Sequence, residues 1–260
     1  MDLGIKDERA LVLGGTQGLA FSAAKFLHAA GVALAVNGRD AERGKAAAAT
    51  LGGGATFAKG DVADPIQSAY IHEAAVKALG GPISILITNS GGPPPGQFLD
   101  HDEAAWHRAL EANMLAALRL ARLVLPEMMT RGWGRIVNIT SFAVREPYPS
   151  LVLSNGVRAG LTGAMSTIAR EVAGRGVTVN NVLPGLMDTG ALARVYKAQS
   201  LRKNISEDDA KRRMADSVPA KRLGEADDFG PAVAFLCSRH AGYITAQNVT
   251  IDGGLVRAVL

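Results

Sequence analysis

Ala10-Leu11-Val12-Leu13-Gly14-Gly15-Thr16-Gln17-Gly18-Leu19-Ala20 runs from a short apolar stretch through three glycines into an alanine-rich segment. Ala10–Leu13 reads as a strand and Gly18–Ala30 as a helix, so the glycines stand at a strand-to-helix turn. Glycines at such a turn let the backbone approach a pyrophosphate, which the free N–H groups and dipole of the following helix attract. On this reading Gly14, Thr16, Gln17, Gly18 and Leu19 form a phosphate cradle. The spacing is G-x-x-x-G-x-A rather than G-x-G-x-x-G, and an ordinary Gly-rich turn is the plain alternative.

Outward from this turn the pattern repeats. Val32–Val36, Ala55–Ala58, Ile83–Thr88, Arg135–Thr140, Thr178–Leu183 and Val249–Ile251 read as further strands. Most are uniformly apolar, as parallel strands covered on both faces are. Between them lie helical stretches at Asp40–Leu51, Pro65–Leu79, Asp102–Met129, Leu151–Ala173 and Glu225–Cys237. Asp64-Pro65-Ile66-Gln67 starts one of them with an Asp cap, a first-turn Pro and a Gln reaching back. The alternation predicts a doubly wound, seven-stranded parallel sheet flanked by helices, joined by right-handed crossovers. Gly91-Gly92-Pro93-Pro94-Pro95-Gly96 is too stiff and kinked for either element and reads as a loop. No linker or internal repeat divides the 260 residues, so the expectation is one domain over 1–260 with a helical, charge-rich insertion at 189–222.

The second strand ends in Asn37-Gly38-Arg39. An acid at the end of this strand binds the ribose hydroxyls of NAD, whereas an Arg suits a 2′-phosphate. Gly38 holds the acid's place and Arg39 follows, which favours NADP(H) over NAD(H). Arg39 on a solvated surface is the bland alternative.

Together these features resemble the short-chain dehydrogenase/reductase family over nearly the whole chain, and the resemblance implies a single-domain Rossmann fold. Asp61-Val62 looks like the pair that contacts the adenine. Asn89-Ser90-Gly91 resembles the family's Asn-Asn-Ala-Gly segment after strand four. Asn113 falls in the long helix where the family places an active-site Asn. Gly134-Arg135-Ile136-Val137-Asn138-Ile139-Thr140-Ser141 resembles the strand that ends in a catalytic Ser. Asn180-Asn181-Val182-Leu183-Pro184-Gly185 with Thr189 looks like the nicotinamide-side segment, so Pro184, Gly185 and Thr189 are expected at the cofactor. Asp252-Gly253-Gly254 closes the chain as the family does.

The departure comes where chemistry is done. The family places a Tyr thirteen residues after the Ser and a Lys four further on. Here those positions are Ser154 and Arg158. A Ser hydroxyl is a far weaker acid than a phenol, whose pKa is about 10. Losing a positioned general acid costs about 10²–10⁴ in rate. Arg158 stays protonated and presents a planar fork of donors. It suits holding the cofactor ribose, or stabilising charge on a substrate oxygen in a donor-lined pocket with Ser141, Ser154 and Asn113. Such a pocket fits reduction of a conjugated enone or enoyl thioester, whose enolate is protonated on carbon. Tyr148, just before this helix, offers a phenol from another direction, although a loop Tyr packing on the surface is the plainer reading. Tyr196, in the insertion, is a weaker candidate still.

Composition narrows the function classes. Hydrophobic residues are 48% and charged residues 20%, a globular balance. A net charge of +4 with 5% aromatics does not make the basic, aromatic-laced stripe of a nucleic-acid binder. The lone Cys237 fits a reducing compartment. No signal-peptide layout or run of roughly 20 apolar residues is present, so a cytoplasmic protein with no membrane partner is expected. The five His show no metal-ligand spacing, and no metal site is expected. In the insertion, Arg194, Lys197, Arg202, Lys203, Lys211, Arg212 and Arg213 suit an acidic or thioester substrate, with a solvated helix as the ordinary alternative. The family resemblance further implies a homo-oligomer, dimer or tetramer, built on the two long helices.

The expected function is an NADP(H)-dependent oxidoreductase acting on a carbonyl or activated alkene, akin to 3-oxoacyl-acyl-carrier-protein reductases, with a small-molecule substrate. The alternative is a protein that binds and senses NADP(H) without hydride transfer. Non-redox chemistry on the same scaffold is the remaining possibility.

Overall fold

The computed structural model describes residues 1–258 of the chain. Seven strands form one parallel sheet: β1 (Arg9–Val12), β2 (Ala33–Gly38), β3 (Ala55–Lys59), β4 (Ile85–Thr88), β5 (Gly134–Ile139), β6 (Val177–Pro184) and β7 (Asn248–Ile251). Their spatial order is β3-β2-β1-β4-β5-β6-β7. The connecting helices are α1 (Gly18–Ala29), α2 (Ala41–Leu51), α3 (Pro65–Leu79), α4 (Glu103–Leu110), α5 (Ala116–Arg131), α6 (Val152–Val172), α7 (Gly190–Lys203), α8 (Glu207–Ser217) and α9 (Ala226–Leu236).

The uniformly apolar strands have a simple cause. In β1, Ala10 and Val12 face one core with Ile85, Ile87, Val137 and Val182. Leu11 faces the opposite core with Leu86, Ile136 and Val179. Successive side chains alternate faces, and both faces of the central strands are covered, so apolar residues fill both. A third apolar cluster, with Phe142, Leu186, Leu192, Met214, Val218 and Leu223, lies beyond the ends of β5 and β6.

Register is fixed by a polar row as well as by burial. Thr88, Asn138, Asn181 and Asn248 are successive cross-strand partners from β4 to β7. Their side chains bond in sequence: Thr88 Oγ1 to Asn138 Oδ1 at 2.7 Å, Asn138 Nδ2 to Asn181 Oδ1 at 3.0 Å, and Asn181 Nδ2 to Asn248 Oδ1 at 2.8 Å. A one-residue slip would orphan these buried groups, at a cost of about 1–3 kcal/mol each.

Two helical stretches differ in detail from the pattern in the sequence. The single helix expected over Asp102–Met129 is α4 and α5 joined by a π-helical turn at Glu111–Leu115. Asn113 sits in that turn and donates from Nδ2 to the Ala109 carbonyl at 3.1 Å. This side-chain bond competes with the main-chain ladder and widens the turn. The insertion is two helices, α7 and α8, separated at Asn204, which takes a left-handed φ of +50°. Ser206 then caps α8 by accepting from Asp209 N at 3.0 Å.

Candidate active site

Strand order reverses between β1 and β4. At such a point the connections leave on opposite sides and open a crevice at the carboxyl ends of the strands. Gly14–Leu19, Asn89–Gly91, Ser141 and Pro184–Thr189 all follow or end strands at this edge.

The glycine turn leaves its backbone open to the crevice. Gly14 has φ +57°, and a Cβ there would stand 2.7 Å from Asn89 Nδ2. Gly18 has φ +62°, and its added Cβ would meet nothing nearer than Thr189 Cγ2 at 4.0 Å, which leaves open space between the turn and the end of β6. The first turn of α1 carries no side-chain cap and no acidic residue. By contrast Asp40, Asp64, Asp102 and Ser206 cap α2, α3, α4 and α8. The N–H groups of α1 therefore remain free for an anion.

At the end of β2 a Cβ on Gly38 would press on Thr16 Cγ2 at 2.7 Å, so the acid of an NAD site would have to displace Thr16. Arg39 is 80% exposed and lies 3.6 Å from Asp61. Arg43, one helical turn on, donates to Gln17 Oε1 in the glycine turn at 3.2 Å. Its other Nη lies 3.7 Å from Asp40. Two cations thus stand at the end of β2 and the start of α2. The sequence reading missed Arg43; its spacing of four from Arg39 at a helix start was the available signal.

Val62, Asn89, Ser90, Asn113, Ile139 and Arg158 line one narrow cavity. Arg158 on α6 is buried and turns its guanidinium under the end of β5. Nη1 donates to the main-chain oxygens of Ile139 at 2.9 Å and Thr140 at 2.8 Å. Asn113 Oδ1 accepts from Ser90 Oγ at 2.8 Å and from Arg158 Nη2 at 3.3 Å. Burial pushes the Arg158 pKa down to about 10, and the group remains a cation at neutral pH. No carboxylate pairs with it among the described residues. A Cβ on Gly92 would stand 3.9 Å from Nη2, so the Gly-Pro loop passes directly over this cation.

Ser141 caps a 3₁₀ turn, its Oγ accepting from Ala143 N at 3.2 Å. Ser154, in the first turn of α6, makes no hydrogen bond through its side chain to Ser141, Asn113 or Arg158. Asp61 accepts from Ala63 N at 3.0 Å, which orders the turn beside Val62. Gly185 packs against Asp252, where a Cβ would stand 2.5 Å from the Asp252 Cβ. Thr189 caps α7 without a side-chain bond. Lys211 of α8 donates to Asp188 at 2.6 Å, tying the insertion to the end of β6.

A family described as Enoyl-(Acyl carrier protein) reductase matches residues 14–256. Dehydrogenase/reductase SDR family member 4 of Homo sapiens is 32% identical over 250 residues, which cover 94% of this chain and 86% of that one. The 3-oxoacyl-acyl-carrier-protein reductase of Haemophilus influenzae is 32% identical over 247 residues, covering 95% and 97%. The solved structure of L-sorbose reductase from Gluconobacter frateurii, complexed with NADPH and L-sorbose, superposes with a TM-score of 0.93 at 26% identity over the full length of both chains. Among the described residues no helix is long and apolar enough to cross a membrane.

Proposed function

The chain belongs to the short-chain dehydrogenase/reductase family of oxidoreductases, and from that premise we propose that it uses NADP(H) to transfer hydride to or from a carbonyl or activated alkene. One observation carries the cofactor reading: an uncapped α1 N-terminus stands beside Gly38, with Arg39 and Arg43 flanking it. The NADPH in the L-sorbose reductase complex agrees with it.

Gly14, Thr16, Gln17, Gly18 and Leu19 would hold the pyrophosphate, Arg39 the 2′-phosphate, and Asp61 and Val62 the adenine. Asn89, Ser90 and Gly91 would flank the ribose, with Pro184, Gly185 and Thr189 on the nicotinamide side. When bound, NADPH would supply a hydride. Asn113 spends its amide on Ser90, Ala109 and Arg158, so it braces the site from within. Ser141 is the hydroxyl left to polarise a substrate oxygen. Arg158 supplies a buried positive field to an oxyanion forming above it, in surroundings where charge is weakly screened. The insertion over 189–222 would act as a lid on the single domain. An apolar groove between α4 and α6, lined by Trp106, Leu110, Met114 and Val157, supports a homo-oligomer.

A second reading, a protein that senses NADP(H) without turnover, has one observation in its favour. Arg158 turns into the strand end, and among the described residues Ser154 has no hydrogen-bond partner to activate it. NADPH oxidation over ketones, 3-oxoacyl thioesters and enones decides between them, with Ser154→Tyr/Arg158→Lys run alongside. Turnover by the wild type removes the sensing reading. Tight NADPH binding with no turnover by the wild type, while the double variant reduces ketones, removes the enzyme reading.

A further inference from the structure

We propose that Tyr148 is the proton donor of this site, placed on the loop before α6 rather than on the helix itself. The proposal rests on the hydride-transfer reading above. Reducing a carbonyl needs a proton on oxygen, and among the described residues the cavity lined by Arg158 and Asn113 holds no carboxylate, imidazole or thiol. Ser154 is an aliphatic alcohol, too weak an acid to share its proton near neutral pH. Arg158 is a cation with two main-chain acceptors and Asn113.

Two phenols border the apolar cluster beyond β5 and β6, Tyr148 and Tyr196. Tyr148 is half-buried there rather than packed on the surface. Its ring meets Phe142 edge-on, centroids 5.5 Å apart, and Phe142 is the residue next to Ser141. Its main chain is clamped to α6: the Tyr148 carbonyl accepts from Asn155 Nδ2 at 3.0 Å and from Leu151 N at 3.3 Å. Asn155 directly follows Ser154, so one bond holds the phenol-bearing loop to the turn that carries the weak hydroxyl. Among the described residues the phenol oxygen has no hydrogen-bond partner, and it is not fully buried, so it is free to meet a ligand or solvent. Tyr196 instead rides on α7 near Lys211, which is already paired with Asp188.

Tyr148 gives its proton to the carbonyl oxygen while the hydride enters at carbon, and the C=O π pair becomes the new O–H bond. The phenolate then recovers a proton from water. Reduction of an enone needs no proton on oxygen, so the two substrate classes should part in a Tyr148 variant.

The test compares wild type, Tyr148→Phe and Tyr196→Phe on saturated ketones and on enones. NADPH dissociation constants and melting curves are taken for each. The Phe keeps the ring contact with Phe142, so the fold is retained. Tyr148→Phe is expected to lower ketone kcat by about 10²–10⁴ with enone reduction far less affected. Calorimetric binding of an unreactive ketone analogue to the NADP⁺ complex should weaken by roughly three- to tenfold, the loss of one hydrogen bond. A ketone rate within about threefold of wild type overturns the proposal and leaves the oxidoreductase reading standing. So does an equal loss on both substrate classes, or a loss found in Tyr196→Phe instead. Silence of the wild type on every substrate with NADPH bound overturns the hydride-transfer reading and the proposal with it.

Discussion

Arg158 Nη2 reaches Asn113 Oδ1 at 3.3 Å, and the same oxygen accepts from Ser90 Oγ at 2.8 Å. Among the described residues this buried cation of α6 is thus held by neutral groups alone, on the π-helical turn and at the end of β5. Keeping it charged at neutral pH, with its pKa pushed down to about 10, costs about 3 kcal/mol. Its bonds to the Ile139 and Thr140 carbonyls offset that cost by a similar amount. Arg158→Met removes both contributions and leaves the Ile139 and Thr140 carbonyls without this donor, at about 1–3 kcal/mol each where they stay unpaired. Its unfolding free energy should fall by about 1–4 kcal/mol in a denaturant titration. Hydride transfer should fall by about a hundredfold or more. A large loss of stability with activity retained would make the arginine a strut and nothing else.

Arg43 links the first turn of α2 to Gln17 in the glycine turn. A charge-assisted bond to phosphate contributes about 1.5–3 kcal/mol. Arg43→Ala should weaken NADPH binding by about tenfold or more and leave NADH binding unchanged, as read by fluorescence titration. Equal losses for both cofactors would show that Arg43 supports the turn rather than the phosphate.

Gly18 has φ +62° and open space above it. Gly18→Ala places a side chain in the left-handed region, a strain of about 1–2 kcal/mol. It also puts a methyl group where the pyrophosphate would lie. The melting temperature should drop by about 2–8 °C, and NADPH affinity by about tenfold or more. Full affinity at a lowered melting temperature would remove the pyrophosphate from this turn.

Asp228, at the start of α9, pairs with Arg222 and accepts from Glu225 N, which holds its pKa down at about 2. A carboxylate whose folded pKa lies below its unfolded value binds its proton less readily when folded. Its contribution is complete above pH 4 and is lost as pH falls toward 2. Asp228→Asn should flatten the acid limb of stability over that window while changing the alkaline side little. An unchanged acid limb would show that the pair is screened by solvent.

Much of this protein is legible in its sequence. The strands announce themselves because both sheet faces are buried, and the glycine turn because φ values near +60° at Gly14 and Gly18 suit little else. Arg39 is legible for the same local reason, standing one residue beyond the end of β2. Less legible was the widened turn at Asn113, where a side chain competes with its own helix. Nor could periodicity show that Ser154 would stand without a partner.

Sequence alone determined the order of elements, the parallel sheet and the glycine turn at its edge, since periodicity and turn chemistry act over a few residues. Only the tertiary structure decided where long side chains go. Arg158 meets carbonyls 18 and 19 residues away, and Arg43 meets Gln17 across 26. Tyr148 joins a cluster assembled from the turn after β5, the segment after β6, the insertion and residues 255–256. Those directions follow from which buried acceptors need donors and which apolar surface is still uncovered. Both are properties of the packed chain that no local stretch of it contains.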